Sequence, residues 1–378
     1  MAYTVLARRY RSTDFDEVVG QDAIAKTLQN AIKLNRVAHA YLFCGTRGVG
    51  KTSMARIFAK ALNGGKDDID AAIMAGKDSD VIEIDAASNS GVDNARELIA
   101  NAAYRPLRGK RKIYLIDEVH MLSNAAFNAL LKTMEEPPEH VMFILATTDP
   151  QKVPATIQSR CQRFDFRNIP TAQIAEHLTS VLKQEKVAAD PELLFALAKL
   201  GNGSMRDSLS LLDRLLASGE KKLTTKILED LLGLPARDLV SNLLDAFVNG
   251  DPAAALKAGD TLLQRGISID QTFESLLERL RDLLVLCTCG DKTDLVELSD
   301  DARKAEAARA SKFDPASIVH MIAMLESLQR SAKNSAAPRA LFDACLVRLA
   351  LTDRLADAAT VVMAASHAGA GAGAAAKK

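Results

Sequence analysis

The chain has 378 residues, 48% of them apolar, which is enough for two or three domains with cores of their own. Only 4% are aromatic and none is Trp, a balance that suits Leu- and Ala-rich helices around a modest sheet. Lys plus Arg equals Asp plus Glu at 48 each, which excludes a chain held to nucleic acid or membrane by bulk charge alone.

The charge is nevertheless uneven. Residues 1–60 hold ten Lys and Arg against four Asp and Glu, whereas 67–97 hold nine acids against two bases. A second basic cluster, "RPLRGKRK" (105–112), reads either as a solvated loop or as a patch facing phosphates. Five cysteines, an odd number without framework spacing, indicate a reducing compartment. Cys287 and Cys289 lie in a leucine-rich helical stretch with no His or second Cys pair near, and read as buried thiols. "MAYTVLARRYRS" has no apolar signal region, and no apolar run is long enough to span a bilayer, so a soluble cytoplasmic protein is expected.

Between residues 40 and 166 short apolar runs alternate with helical patterns. "AYLFCG" (40–45), "DVIEID" (80–85), "KIYLID" (112–117) and "VMFILATT" (141–148) read as strands, the last of them closing the set before Arg160 in "TIQSRCQRFDF". "GKTSMARIFAKALN", "GVDNARELIANA" and "NAAFNALLKTMEE" between them have apolar residues at i, i+3, i+4 spacing. Strands buried on both faces and separated by helices predict a parallel α/β sheet with helices on each side. From about residue 170 the strand signal stops. "TAQIAEHLTSVLKQEKV", "PELLFALAKL" and "SMRDSLSLLDRLLASG" form three amphipathic helices, and "LGLPARD" (232–238) marks a boundary. Beyond it the pattern is helical, with Phe273, Leu276, Leu277, Leu280 and Leu284 on one face, until the low-complexity "GAGAGAAAKK". The domains expected are 1–169, nucleotide-binding; 170–233, a small helical lid; 234–357, all helical; and 358–378, a flexible tail. There is no internal repeat.

"GTRGVGKT", Gly45 to Thr52, fits G-x-x-x-x-G-K-[ST] and stands between a strand and a helix, as the motif requires. The backbone of Gly45, Thr46, Gly48, Val49, Gly50 and Ser53 would curl around phosphates at a helix N-terminus. Lys51 would neutralise the β/γ-phosphates and Thr52 would ligate Mg²⁺. "IYLIDEVH" (113–120) ends a buried strand on two acids: Asp117 would hold the metal through its water shell and Glu118 would polarise the attacking water. His120 reads as a local hydrogen-bonding residue. Thr147 or Thr148 would reach the γ-phosphate or the water from the next strand tip, Thr148 being preferred. In "GSMRDSL", Ser204 is the expected N-cap with Asp207 at N3, which puts Arg206 at a positive helix end, where a surface ion pair or a bound anion would explain it.

The order of these motifs resembles the AAA+ clamp-loader ATPases, and more closely the bacterial DNA polymerase III gamma/tau family. The matching pieces are "VLARRYRSTDFDEVVGQ", "HAYLFCGTRGVGKTSMARIFAKALN", "YLIDEVHMLSNAAFNALLKTMEEPPEH" and "ATTDPQKVPATIQSRCQRFDF", dense over 1–215 and looser in the helical remainder, the family's collar. The resemblance implies an ATPase that uses ATP and Mg²⁺ to load a sliding clamp on primed DNA at the replisome. Its partners would be delta-type and delta-prime-type subunits in a pentamer, the clamp, and primer–template DNA held through phosphates; it would belong to a DNA polymerase complex without polymerising. Arg160 would act in trans, in a neighbour's ATP site, while Arg206 would touch the γ-phosphate of its own. Val18, Val19 and the "ARRYR" segment would close over adenine, and "ASNSGVDN" (87–94) and "MLSNAAF" (121–127) would face the duplex.

Three departures stand out. Residues 63–80 hold no Cys or His where the family usually carries a four-cysteine zinc module, so no structural zinc is expected. "RYRST" lacks the usual proline. The chain ends soon after the collar, as a shorter gamma form or a truncated product would. Two other readings are a nucleotide-dependent scaffold that does not hydrolyse, and another AAA+ DNA remodeller such as a ring helicase or an unfoldase. The paired acids and Arg160 weigh against the scaffold, and the absence of a pore-loop or DNA-reading module weighs against the remodeller.

Overall fold

The computed structural model describes residues 3–235, 237–293, 295–333 and 335–352, without the side chains at 94, 95, 300, 301 and 333. The expected tail, 358–378, lies outside the described residues. The chain forms two compact units, one holding the residues up to Ala188 with Leu194–Lys221, the other Ala189–Leu193 with the chain from Lys222 on.

In chain order the first unit begins with helices α1 (Leu6–Arg9) and α2 (Asp22–Lys33), strand β1 (Ala40–Cys44), and helices α3 (Lys51–Asn63) and α4 (Asp67–Ala75). Strand β2 (Val81–Asp85), α5 (Val92–Ala102), β3 (Lys112–Asp117), α6 (Asn124–Glu135), β4 (Val141–Thr147), α7 (Ala155–Gln158) and β5 (Gln162–Asp165) follow. The strands form one parallel sheet in the order β2-β3-β4-β1-β5. Every residue of β1 and β4 is buried, because helices cover both faces. Tyr41, Phe43, Leu115, Ile144 and Phe58 pack on one face, and Leu42, Tyr114, Phe143, Leu145 and Phe127 on the other.

The fifth strand corrects the expectation that β4 closes the set. Arg160 sits between β4 and β5, not after the last strand. β5 escaped notice because it is an edge strand paired only to β1; Gln162, Arg163 and Asp165 are exposed, so the run lacks an apolar signature. Three lid helices follow, α8 (Thr171–Glu185), α9 (Pro191–Leu200) and α10 (Met205–Leu216). Two-residue strands at Ala188–Ala189 and Lys222–Leu223 also interrupt a region that read as wholly helical; two residues are too few for a periodic signal.

The second unit continues with α11 (Thr225–Leu232), α12 (Arg237–Val248), α13 (Pro252–Gln264), α14 (Ile269–Cys289), α15 (Asp300–Ala310), α16 (Pro315–Lys333) and α17 (Pro338–Ala350). Ser268 and Gln271 close a capping box at the start of α14. Phe273, Leu276 and Leu280 of α14 are fully buried, with Leu277 and Leu284 packed at the margin. The two thiols of this helix depart from expectation: Cys287 is half-buried with its Sγ 3.5 Å from Phe313 O, and Cys289 is exposed at the last position of the helix. A helix end presents less of its circumference to the core than its middle does. No described helix is long and apolar enough to cross a membrane.

Candidate nucleotide site

The site is built where β1 and β3 end. β1 leads into a loop in which Gly48 has φ +78° and Gly50 φ +101°, backbone that L-residues rarely adopt. A Cβ on Gly48 would overlap Ser204 Oγ and lie 3.0 Å from Ser204 Cβ and 3.2 Å from Arg206 Cβ. Glycine therefore serves twice, curling the loop and letting the lid close on it. Gly45 N–H donates to Thr147 O at 3.2 Å, and Thr46 Oγ1 is 2.6 Å from Asn168 Oδ1.

Lys51, the first residue of α3, is only 5% exposed and donates to Gly45 O at 2.7 Å and Thr46 O at 2.8 Å. Burial lowers its pKa, and the nearby Glu118 and Asp117 carboxylates offset part of that. Thr52 Oγ1 donates to Asp117 Oδ2 at 2.7 Å, so the P-loop hydroxyl and the carboxylate of β3 already share one point. Glu118, just past β3, has φ +46° and ψ +45°. Left-handed backbone costs a side-chain-bearing residue about 1–2 kcal/mol, a strain that concentrates at working sites. Its Oε2 accepts from Thr148 Oγ1 at 2.9 Å and Thr148 N at 3.3 Å.

The two threonines of β4's tip divide their tasks. Thr147 is buried and binds His120 Nδ1 at 3.0 Å, whereas Thr148 holds Glu118. On the lid, Ser204 Oγ accepts from Asp207 N at 3.2 Å as the N-cap of α10. Arg206 in the first turn of α10 makes no ion pair among the described residues, which removes the surface salt bridge as an explanation for it.

These groups converge on a cavity of about 420 Å³. Gly48, Val49, Gly50, Lys51, Thr52 and Ser53 line it, as do Asp117 and Glu118, Arg206, and Val18 and Val19. Gly45, Thr46, Thr148 and Arg160 are not among the lining residues. Arg160 instead donates to Thr156 O at 2.6 Å and pairs with Glu135 at the surface. Tyr10 and Arg11, from the "ARRYR" segment expected over adenine, also line the cavity, as do Arg47, Asp85 and His177, which sequence reasoning did not single out. Asp85 carried a signal, an acid ending a strand beside Asp117; His177 carried none, being one polar residue among several on α8.

The residues fit a magnesium nucleotide: a left-handed glycine cradle, a buried ammonium beside carboxylates, and a hydroxyl already on the strand-end acid. A parallel sheet in this order, with the P-loop after β1 and the acid pair after β3, defines an AAA+ type P-loop protein with a helical lid. Residues 20–170 match the family model "DNA polymerase III, delta subunit", 173–221 match "DNA polymerase III clamp loader subunit, ATPase lid domain", and 223–363 match "DNA polymerase III subunits gamma and tau domain III". The chain is 45% identical over 293 residues to DNA polymerase III subunit tau of Escherichia coli (75% of this chain, 45% of that one). It is 38% identical over 362 residues to subunit tau of Bacillus subtilis (93% and 64%). With subunit gamma of Buchnera aphidicola it shares 43% identity over 244 residues (62% and 67%). The chain belongs to the gamma/tau family of DNA polymerase III subunits. It spans less than two thirds of the length of the tau proteins it matches.

Proposed function

We propose that the chain is an ATPase subunit of a replicative clamp loader, spending ATP to place a sliding clamp on primed DNA with delta-type and delta-prime-type partners in a pentamer. The observation that carries the reading is the gathering of Lys51, Thr52, Asp117, Glu118 and Arg206 around one cavity, while Arg160 stands at the surface outside it. Val18 and Val19 would flank the adenine. The backbone of Gly45 through Ser53 would bind the phosphates, with Lys51 and Arg206 on the β- and γ-phosphoryl oxygens. Thr52 and Asp117 would hold Mg²⁺, which supplies charge neutralisation between the phosphates when bound. Glu118 would orient the attacking water once Thr148 releases or shares its carboxylate. The remaining charge on the transferring group would be met by a guanidinium from the adjacent subunit, and this chain's Arg160 would serve its neighbour in the same way. Such sharing ties turnover to assembly. The working domains would be 1–169, 170–233 and 234–357, with DNA phosphates meeting the N-terminal ends of α5 and α6, at the replisome in the cytoplasm.

The test is Arg160→Ala assembled with partner subunits, clamp and primer–template DNA. Turnover should fall about 10³-fold or more, with ATP affinity nearly unchanged, the size expected of an arginine finger. Loss of ATP binding instead, or full turnover by an isolated monomer, would overturn the shared-site reading.

A further inference from the structure

Among the described residues Arg11, Arg47 and Arg206 make no ion pair in the cavity, and the last two are exposed. Arg11 is half-buried, and makes no hydrogen bond or ion pair among the described residues. Burial lowers its pKa, and the positive charges of Arg56 and Arg206 lower it further against the opposing pull of Glu83 and Asp117. Asp117 and Arg206, two of those four charges, line the same cavity as Arg11. Glu83 is held by Arg56 in a two-pronged pair, from Nε at 2.7 Å and from Nη2 at 2.8 Å, and makes no hydrogen bond to Arg11 among the described residues. A half-buried cation with no ion pair of its own and two other guanidinium groups acting on it favours an added anion.

The segment carrying Arg11 is tied to the lid on both sides. α1 packs against α10, Tyr3 bonds Asp213 of α10, and Arg9 and Tyr10 both bond the Glu185 carboxylate at the end of α8. The residues next to Arg11 are thus anchored to the lid.

We infer that Arg11 is a phosphate-binding residue of the nucleotide site, positioned by the lid through Glu185. This rests on the nucleotide-site reading above and gives the segment a different task from covering the base: it answers the charge of the phosphates and links their presence to lid closure. The anion it takes is the polyphosphate of a nucleoside di- or triphosphate.

The experiment measures ATP binding and thermal unfolding of the full chain for Arg11→Gln, Arg11→Lys, Glu185→Ala and the double variant Arg11→Gln/Glu185→Ala. Loss of a charge-assisted hydrogen bond predicts ATP affinity about 10- to 100-fold weaker in Arg11→Gln. Arg11→Lys, which keeps the charge without the planar face, should stay within about fivefold of wild type. Without nucleotide, Arg11→Gln should unfold at the wild-type temperature or above it, since an unpaired cation is removed. Glu185→Ala should weaken ATP binding on its own and add nothing to Arg11→Gln, because both act through one guanidinium. Wild-type affinity in Arg11→Gln would overturn the inference, as would a lower unfolding temperature without nucleotide. Equal losses in the Lys and Gln variants would transfer Arg11 to stacking on the base. An undiminished Glu185→Ala effect on top of Arg11→Gln would remove the positioning role. A wild-type chain that binds no ATP would sink the nucleotide-site reading itself, a failure distinct from all of these.

Discussion

Gly48→Ala tests how closely the lid must approach the P-loop. The new methyl group must first be carried at φ +78°, which costs about 1–2 kcal/mol for a residue with a Cβ. It would also overlap Ser204 Oγ, with Ser204 Cβ at 3.0 Å and Arg206 Cβ at 3.2 Å leaving no free direction. Rotating the Ser204 hydroxyl away relieves the overlap but breaks the bond from Asp207 N that caps α10, worth about 1 kcal/mol. Together these predict about 2–3 kcal/mol of destabilisation, or roughly 4–12 °C in the unfolding midpoint of a unit of this size. Alternatively, α10 moves off and carries Arg206 with it. In that event the fold keeps most of its stability while ATP binding falls at least tenfold. Differential scanning calorimetry and ATP titration on the same sample separate the two routes. An alanine variant with wild-type midpoint and wild-type ATP affinity would refute the claim that lid and loop touch in the working state.

Two further outcomes follow from named contacts. Glu118→Gln should bind ATP about as well as wild type in an equilibrium titration yet lose turnover by at least about 10²-fold in a phosphate-release assay with partners and primed DNA, since the amide cannot act as base; turnover near wild type would discard Glu118 as the base. Asp80→Asn concerns the basic loop 105–111. The Asp80 carboxylate, 1% exposed, accepts N–H groups from Leu107 at 2.7 Å, Arg108 at 2.6 Å and Gly109 at 2.7 Å. Burial pushes its pKa up, but those three donors and Lys112 overcome it and hold the group below its ordinary value. A depressed carboxyl stabilises the fold above its unfolded pKa of about 3.9 and loses that contribution as pH falls through the folded value. The variant should be about 1–3 kcal/mol less stable at pH 7 by denaturant unfolding, with a shallower loss of stability below about pH 4; an unchanged acid limb would show that Asp80 does not anchor the loop.

The sequence by itself determined the parts whose physics is local. Glycines that turn a chain around phosphates, an apolar run ending in Asp117 and Glu118, and a serine three residues before an acid at a helix start each carry their signal within a few neighbours. So β1 through β4, the P-loop and the Ser204 cap were legible. Tertiary structure decided what depends on groups far apart in the chain. β5 is a strand only because β1 offers it an edge, and its polar residues hid it. Asp80 meets its three donors across 27 to 29 positions. Glu118 rests on Thr148 thirty residues away. Arg11 lines the cavity next to Arg9 and Tyr10, which meet Glu185 across 176 and 175 positions. No periodicity encodes such meetings, because a hydrogen bond or an ion pair depends on distance in space, which the chain sets only once its cores have formed.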